Sequence, residues 1–373
     1  MGRKYSWFII GLFALILAFF PVCMLLTPDK TFSEQENRYL QQRPSFTFSS
    51  FFSGEYTEKL ESYLTDQFPF RDQWVRLKAR CELLMGKKSN GDIWICEVRL
   101  IRNYHAPSAE ELAEYAANVD DFAASIDIPV YFSLIPEASA IYADALPRGA
   151  DCDDAQGVIR ALYGQISGAK TLDLYDALYA EREEYIFYRT DHHWTTLGAL
   201  TAAEIIVPAV TGTELSTEEF VFETVSESFL GTSASASGVS WLEPDSIDIA
   251  VPEETAASVQ RRENGQMVST ALYCEEYLNQ KDQYSYFLGG NTSFVSLCSA
   301  VSDGPRLLLI RDSFSDCLSP LLLGSFSVVD LVDLRYYTDS VRMLADSGSY
   351  DAVLILLGIG SLDEEANLFL LGY

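Results

Sequence analysis

The stretch "RLLLIRDSFSD", residues 306–316, decides the fold. Leu307 to Ile310 run without a polar break, which is the pattern of a strand covered on both faces. A polar turn follows at once and puts Ser313 just past the strand's carboxyl end. "SFSVVDLVDL" (325–334) and "DAVLILLG" (351–358) repeat the pattern downstream, and "PVYFSLI" (129–135) shows it upstream. Helical stretches separate these runs. One is expected over Ala109–Ile126, one near Asp153–Ser167, and one opened by Thr195 or Thr196 and stopped before Pro208. A short strand is expected near Thr171–Leu174, and "GDIWI" (91–95) reads as the domain's first strand. Alternation of this kind predicts an α/β fold in which helices cover a central parallel sheet, with reactive groups at the strands' carboxyl ends.

Outward from that core, residues 210–270 are rich in Ser, Thr and Glu and read as an insertion. Residues 27–53 read as a polar, Pro/Ser/Phe-rich stalk. The segment from Glu55 to Met85 has helical spacing broken at Pro69, so 27–90 precedes an α/β domain over 91–373. At the start, "WFIIGLFALILAFFPVCMLL" (7–26) carries no charge and has the length of a bilayer's hydrocarbon core. Arg3 and Lys4 precede it, so the positive-inside rule leaves residues 1–6 in the cytoplasm and everything after Thr27 outside. A cleaved signal peptide competes with this anchor, but no small-x-small cleavage site follows the run.

The 373 residues carry 26 Lys plus Arg against 54 Asp plus Glu, a net charge of −28. Such a surface repels phosphate backbones, which argues against nucleic acid as a partner. The seven cysteines include no CxxC pair, so they suggest no zinc, and spacing selects no disulfide among the six outside the anchor.

Chemistry points to two places. A serine at a strand end becomes a nucleophile only with a base beside it, and the chain has three histidines, His105, His192 and His193. Two of them lie in "TDHHWTTLGA" (190–199). In an extended segment Asp191 and His193 share a face while His192 looks elsewhere. Asp191 would then orient His193 as the base for Ser313, with His192 in support and Trp194 as a wall against water. A metal held by Asp191, His192 and His193 is the other chemical reading, although adjacent histidines do not converge easily on one ion.

Several blocks together resemble a known family. "TDHHWTTLGA" is similar to the signature of the DHHW family, itself similar to the alginate O-acetylation proteins of the SGNH hydrolase-like superfamily. "ENRYLQQRPSF" with "DQFPFR" (36–71), "IPEASAIYADALP" (135–147), "LLLIRDSFSDCLSPLL" (307–322) and "VDLRYY" (332–337) resemble further blocks of that group in the same order. The resemblance implies an SGNH hydrolase-like, flavodoxin-like three-layer fold with a circularly permuted order of motifs, because Asp–His precedes Ser. It implies Ser313 as nucleophile, His193 as base and Asp191 as orienter. It also implies a cell-surface glycan as substrate, no cofactor, and a multispanning membrane acyltransferase as acetyl donor.

Two departures stand out. "DAVLILLG" ends in Gly358-Ile359-Gly360-Ser361 where an SGNH enzyme carries G-x-N-D, so an oxyanion-holding asparagine is missing; Asn291, Arg335 or its neighbour Tyr336 are candidate substitutes. Glu137 stands where the family often has lysine. Three readings remain open: an extracytoplasmic O-acetyltransferase or acetylesterase, an inactive glycan-binding or scaffold protein, and a metallohydrolase.

Overall fold

The computed structural model describes residues 3–33, 38–217, 220–362 and 367–372; Glu36 and Asn37 of the "ENR" block lie outside them. The chain divides into two compact units, Met1–Lys87 with Ser235–Ser240, and Lys88–Ala234 with Trp241–Tyr373.

In the first unit, α1 spans Arg3–Leu26 and has no polar residue beyond its first turn, apart from Cys23. Its segment Lys4–Leu26 is long and apolar enough to cross a membrane. Two helices, α2 (Glu55–Asp66) and α3 (Arg71–Leu84), flank the break expected at Pro69, where Phe70 takes a left-handed φ of 62°. The expected stalk is fastened rather than free. Phe32–Ser33 pairs antiparallel with Arg38–Tyr39, and the Gln41 N–H donates to Asp66 Oδ2 at 2.8 Å. A polar sequence without periodicity gave no sign of this pairing, because it depends on a helix end arriving from elsewhere.

The second unit is built on an eight-stranded sheet. Its strands in chain order are β1 (Val130–Ile135), β2 (Lys170–Thr171), β3 (Ala256–Glu263), β4 (Gln266–Thr270), β5 (Phe294–Ser299), β6 (Arg306–Arg311), β7 (Val328–Val332) and β8 (Ala352–Gly358). In space the order is β4-β3-β5-β7-β6-β8-β1-β2. From β7 to β2 every pairing is parallel, whereas β5, β3 and β4 add an antiparallel wing. The sheet is therefore mostly parallel, not wholly so as expected.

The correction falls where the sequence was least patterned. β3 and β4 come from the supposed insertion, and residues 256–270 are part of the sheet itself. They are largely exposed or half-buried, with Val259 the one buried position, and carry many polar residues, so they do not read as apolar runs. "GDIWI" is also corrected: Ile93–Ile95 is the middle strand of a separate three-stranded antiparallel sheet with Ser89–Asn90 and Leu100–Arg102.

The parallel core explains its own sequence. Along β6, Leu307 and Leu309 enter the core on one face and Leu308 and Ile310 the core on the other; β8 does the same with Leu354 and Leu356 against Val353 and Ile355. One face is covered by α4 (Ala109–Ala124) through Val119 and Phe122. Ser108 and Glu111 start that helix with a reciprocal capping box. The other face is covered by α5 (Thr196–Thr211) and α6 (Ser315–Leu322), which pack on each other. Ala199, Ala202 and Ala203 on α5 are fully buried, small enough for close approach to Leu318, Leu321 and Leu322 on α6. Each fully buried leucine contributes about 1.5–3 kcal/mol. Thr195 caps α5 as expected, but the helix runs through Pro208 to Thr211 and ends at Gly212 with φ 72°. Proline this near the C-terminus costs only one helical hydrogen bond, so packing carries the last turn.

Candidate active site

β6 ends in a tight turn that leads into α6, and Ser313 sits on it. Asp312 fixes the turn: Oδ1 accepts the Phe314 N–H at 3.1 Å, and Oδ2 accepts the Gly358 N–H at 2.6 Å and the Ser361 hydroxyl at 2.8 Å. One buried carboxylate thus ties the carboxyl ends of adjacent strands β6 and β8 together.

The DHH segment is carried differently. Phe187 bridges Trp194, the Tyr188 N–H donates to the His193 carbonyl and the Thr195 N–H to the Ile186 carbonyl, so residues 188–193 form the tip of a narrow loop. At Gly198 a Cβ would sit 2.2 Å from the Ile186 carbonyl oxygen, so the loop closes only over glycine. Asp245 holds the tip from beside it. Its carboxylate accepts the Arg189 N–H at 2.8 Å, the Thr190 N–H at 2.7 Å, the Thr190 hydroxyl at 2.5 Å and the Tyr185 hydroxyl at 2.5 Å. Trp194 is fully buried and donates its indole N–H to the Phe314 carbonyl at 2.8 Å, joining loop to serine turn.

These two supports bring three side chains into line. The Asp191 carboxylate accepts the His193 N–H at 3.0 Å and lies 2.6 Å from His193 Nδ1, both through Oδ1. His193 Nε2 is 2.8 Å from Ser313 Oγ. Burial raises a carboxyl's pKa, but the two imidazoles and the His193 and Thr232 hydrogen bonds outweigh it and hold Asp191 well below its ordinary value. An ionised Asp191 only accepts, so His193 Nδ1 carries a hydrogen; in the neutral ring Nε2 is then the acceptor for the Ser313 hydroxyl. Asp191 and His193 meet because an aspartate bonds the backbone two residues on, forming an Asx turn; the segment is not the extended strand from which their pairing was expected.

Other residues complete the site. The Thr232 N–H and hydroxyl donate to Asp191 Oδ2 at 2.7 and 2.8 Å, and Gly231 lies so close that a Cβ there would meet the Asp191 side chain at 2.3 Å. Tyr284 stacks on the His193 ring at 3.9 Å with 8° between planes and donates its hydroxyl to the Ser313 carbonyl at 3.0 Å. Sequence reasoning missed Thr232, Tyr284 and Asp245. All three lie in segments without periodicity, and only their neighbours give them a role. Glu137, singled out by its departure from lysine, is buried; its Oε1 accepts the Gly360 N–H at 3.1 Å, and burial raises its pKa.

The oxyanion candidates fare unevenly. Asn291 is exposed and makes no hydrogen bond to the Ser313–His193 pair. Arg335 is held in a two-pronged pair with Asp333, at 3.0 and 2.8 Å, and Tyr336 is an exposed ring 5.4 Å from its guanidinium. The missing asparagine's neighbours are also committed, since Gly358 N–H and the Ser361 hydroxyl serve Asp312. Among the described residues, the Ser313 N–H at the start of the turn makes no hydrogen bond.

Asp191, His192 and His193 offer ligand atoms within 4.8 Å of one another, as a metal would need. Most of those atoms are already committed, however. Asp191 Oδ1 and His193 Nδ1 face each other, His193 Nε2 faces Ser313, and His192 Nδ1 is 2.8 Å from Thr232 Oγ1. Three protein ligands on one ion would require breaking the Asp–His–Ser chain. All seven cysteines are free. An open cleft of about 590 Å³ in the first unit is lined by Leu60, Leu64, Phe68 and Trp74 among others, without a histidine or cysteine.

No curated protein matches the chain. Among solved structures, a DHHW family protein from Eubacterium siraeum is 22% identical over 74% of this chain and 93% of that one, with a TM-score of 0.64. Bacillus cereus PatB1, solved with a sulfonyl adduct, is 18% identical over 74% and 97%, with a TM-score of 0.63. The O-acetyltransferase domain of Pseudomonas putida AlgJ is 15% identical over 71% and 90%, with a TM-score of 0.43. The first two share this fold. A family model described as DHHW protein matches residues 99–332, a span that holds Asp191, His193 and Ser313 as well as most of the sheet, and the chain belongs to the DHHW family.

Proposed function

We propose that this protein is an extracytoplasmic, membrane-anchored acyltransferase or esterase that moves an O-acetyl group on a cell-surface glycan, with Ser313, His193 and Asp191 as its triad. The observation that carries the reading is the 2.8 Å approach of Ser313 Oγ to a His193 whose other nitrogen is engaged by Asp191. Ser313 Oγ attacks the acyl carbonyl while its proton passes to His193 Nε2. The developing oxyanion is received by the free Ser313 N–H. Collapse expels the donor alcohol, which takes the proton from His193 and leaves an acetyl ester on Ser313. A sugar hydroxyl then attacks that ester, giving its proton to His193, and the proton returns to Ser313 as the new ester departs; water in place of the sugar makes the reaction hydrolysis. Acyl transfer follows from the triad; the acetyl group, the glycan and a multispanning acyltransferase partner follow from the resemblance to alginate O-acetylation proteins.

An SGNH-like, permuted topology accords with the strand order. Counting β6, β7, β8, β1 and β2 as one to five, the parallel strands run 2-1-3-4-5, the flavodoxin-like order with its switch point between β6 and β8. Ser313 and Asp312 sit at that switch point. The apolar helix α1 and the two cations before its core are the support for anchoring with residues 1–6 inside. One observation favours a weaker, scaffold-like role: with Gly358 N–H and the Ser361 hydroxyl committed to Asp312, an oxyanion donor is lost, a deficit of about 100- to 1000-fold in rate.

Incubating the full-length protein in detergent with 4-nitrophenyl acetate decides between these. A nitrophenol burst with an acetyl adduct on intact mass, absent in Ser313→Ala, is expected. A burst that survives Ser313→Ala, or none at all in either protein, overturns the nucleophile.

A further inference from the structure

The proposed triad leaves His192 unused, and hydrogen-bond bookkeeping fixes its chemical state. Thr232 Oγ1 is 2.8 Å from Asp191 Oδ2 and 2.8 Å from His192 Nδ1. An ionised carboxylate only accepts, so the single Thr232 hydroxyl proton is spent on Asp191. Thr232 therefore accepts from His192, whose Nδ1 must carry a hydrogen. Burial, together with the neighbouring His193, Arg102 and Arg335, lowers the His192 pKa well below its usual value against the pull of Asp191. The ring is thus neutral and its Nε2 is a bare lone pair. That atom makes no hydrogen bond among the described residues and is not sealed from solvent. The side chain keeps 15% of its surface exposed, in a site where the His193 side chain keeps 6%.

Its position is as constrained as its tautomer. The two imidazole rings lie 3.8 Å apart at 37°. Both Nδ1 atoms are on the Asp191 side, 2.6 Å from Oδ1 for His193 and 3.6 Å for His192. In each ring Nε2 lies across Cε1 from Nδ1, and in His193 that nitrogen meets Ser313.

We propose that His192 Nε2 accepts a hydrogen bond from a second hydroxyl of the acyl acceptor, next to the hydroxyl that His193 deprotonates, so that the site selects a vicinal diol of a sugar ring. This rests on the acyl-transfer reading and deepens it. His192 acts only once Ser313 is acylated and an acceptor enters; acylation itself and attack by water need no second hydroxyl. It is a specificity-determining residue, with one neutral hydrogen bond's worth of discrimination, on the order of fivefold.

The test uses full-length protein acetylated by 4-nitrophenyl acetate and offered either trans-1,2-cyclohexanediol or cyclohexanol, with acetyl esters quantified by mass spectrometry. Wild type is expected to favour the diol about fivefold per hydroxyl. His192→Phe keeps a ring against His193 but no acceptor; whatever its rate of acylation, the acyl-enzyme it forms should partition without the preference. His192→Gln, whose amide oxygen reaches as far, should restore part of it. Equal partitioning in wild type, or a preference unchanged in His192→Phe, overturns the proposal. Absence of any acyl-enzyme in wild type instead strikes at Ser313, a failure distinguishable from the first. Independently, imidazole nitrogen NMR of histidine-labelled protein should show His192 protonated at Nδ1 only; an Nε2–H signal would remove the acceptor and the proposal with it.

Discussion

The two halves of the candidate triad are held by opposite means. Ser313 stands on the end of a parallel strand whose residues Leu307 to Ile310 are fully buried, so dispersion and burial fix it from both faces of the sheet. Asp191 and His193 stand on a loop tip with no regular structure, fixed by the carboxylate of Asp245, the hydroxyl of Thr232 and the Trp194 indole. A hydrophobic support is redundant and spread over many contacts. A polar support is concentrated in a few atoms, each of which is costly to lose when buried. The difference teaches that the serine side should be sensitive in stability but robust in geometry, and the histidine side sensitive in both.

Leu309→Ala strikes the first support and carries the largest expected change in stability, a loss of about 3 kcal/mol by chemical denaturation. Labelling of Ser313 by a sulfonyl fluoride should proceed at the wild-type rate in whatever fraction stays folded. Asp245→Asn strikes the second. It points an amide N–H₂ at backbone or hydroxyl donors and should cost about 2 kcal/mol. Here the folded protein should label at least tenfold more slowly, because the base is misplaced. Equal labelling in the two variants would erase the contrast.

Acid should separate the supports further. His192 is held neutral in the fold, with a pKa below the unfolded value of about 6.5. Below that pH the unfolded chain binds a proton the folded one refuses, so this contribution is complete above about pH 6.5 and lost as pH falls, by up to about 1.4 kcal/mol per unit. Asp316, pushed up to about 6 by burial despite Arg311, opposes it, since its folded form keeps a proton there. Comparing wild type with His192→Phe between pH 7 and 5 isolates the His192 share: the variant's stability should fall less. The smallest effect is Tyr284→Phe, which removes one hydrogen bond to the Ser313 carbonyl and leaves the stacked ring, about 1 kcal/mol with little change in labelling.

How much of this the sequence carried follows the same division. β1, β6, β7 and β8 were legible because strands buried on both faces need mainly apolar runs, broken here only by Ser133 in β1 and Asp330 in β7 between the strand ends, and α4 because its Ser108–Glu111 start is local chemistry. Ser313 was legible from its place after β6. The pairing of Asp191 with His193 was expected from counting faces on a strand, whereas the structure makes that contact through an Asx turn at Asp191. The wing of β3 and β4 escaped notice because exposed positions interrupt its pattern.

The sequence by itself determined the α/β core, the apolar helix at the N-terminus, and which residue types stand at strand end and loop tip, since each is written in neighbours a few positions apart. Only the tertiary structure decided that Asp245, Thr232 and Tyr284 hold the site, that Asn291 stays outside it, and that His192 offers a bare nitrogen beside His193. Those roles depend on hydrogen bonds between residues tens of positions apart, and a hydrogen bond is specified by ångströms and angles that residue order does not encode.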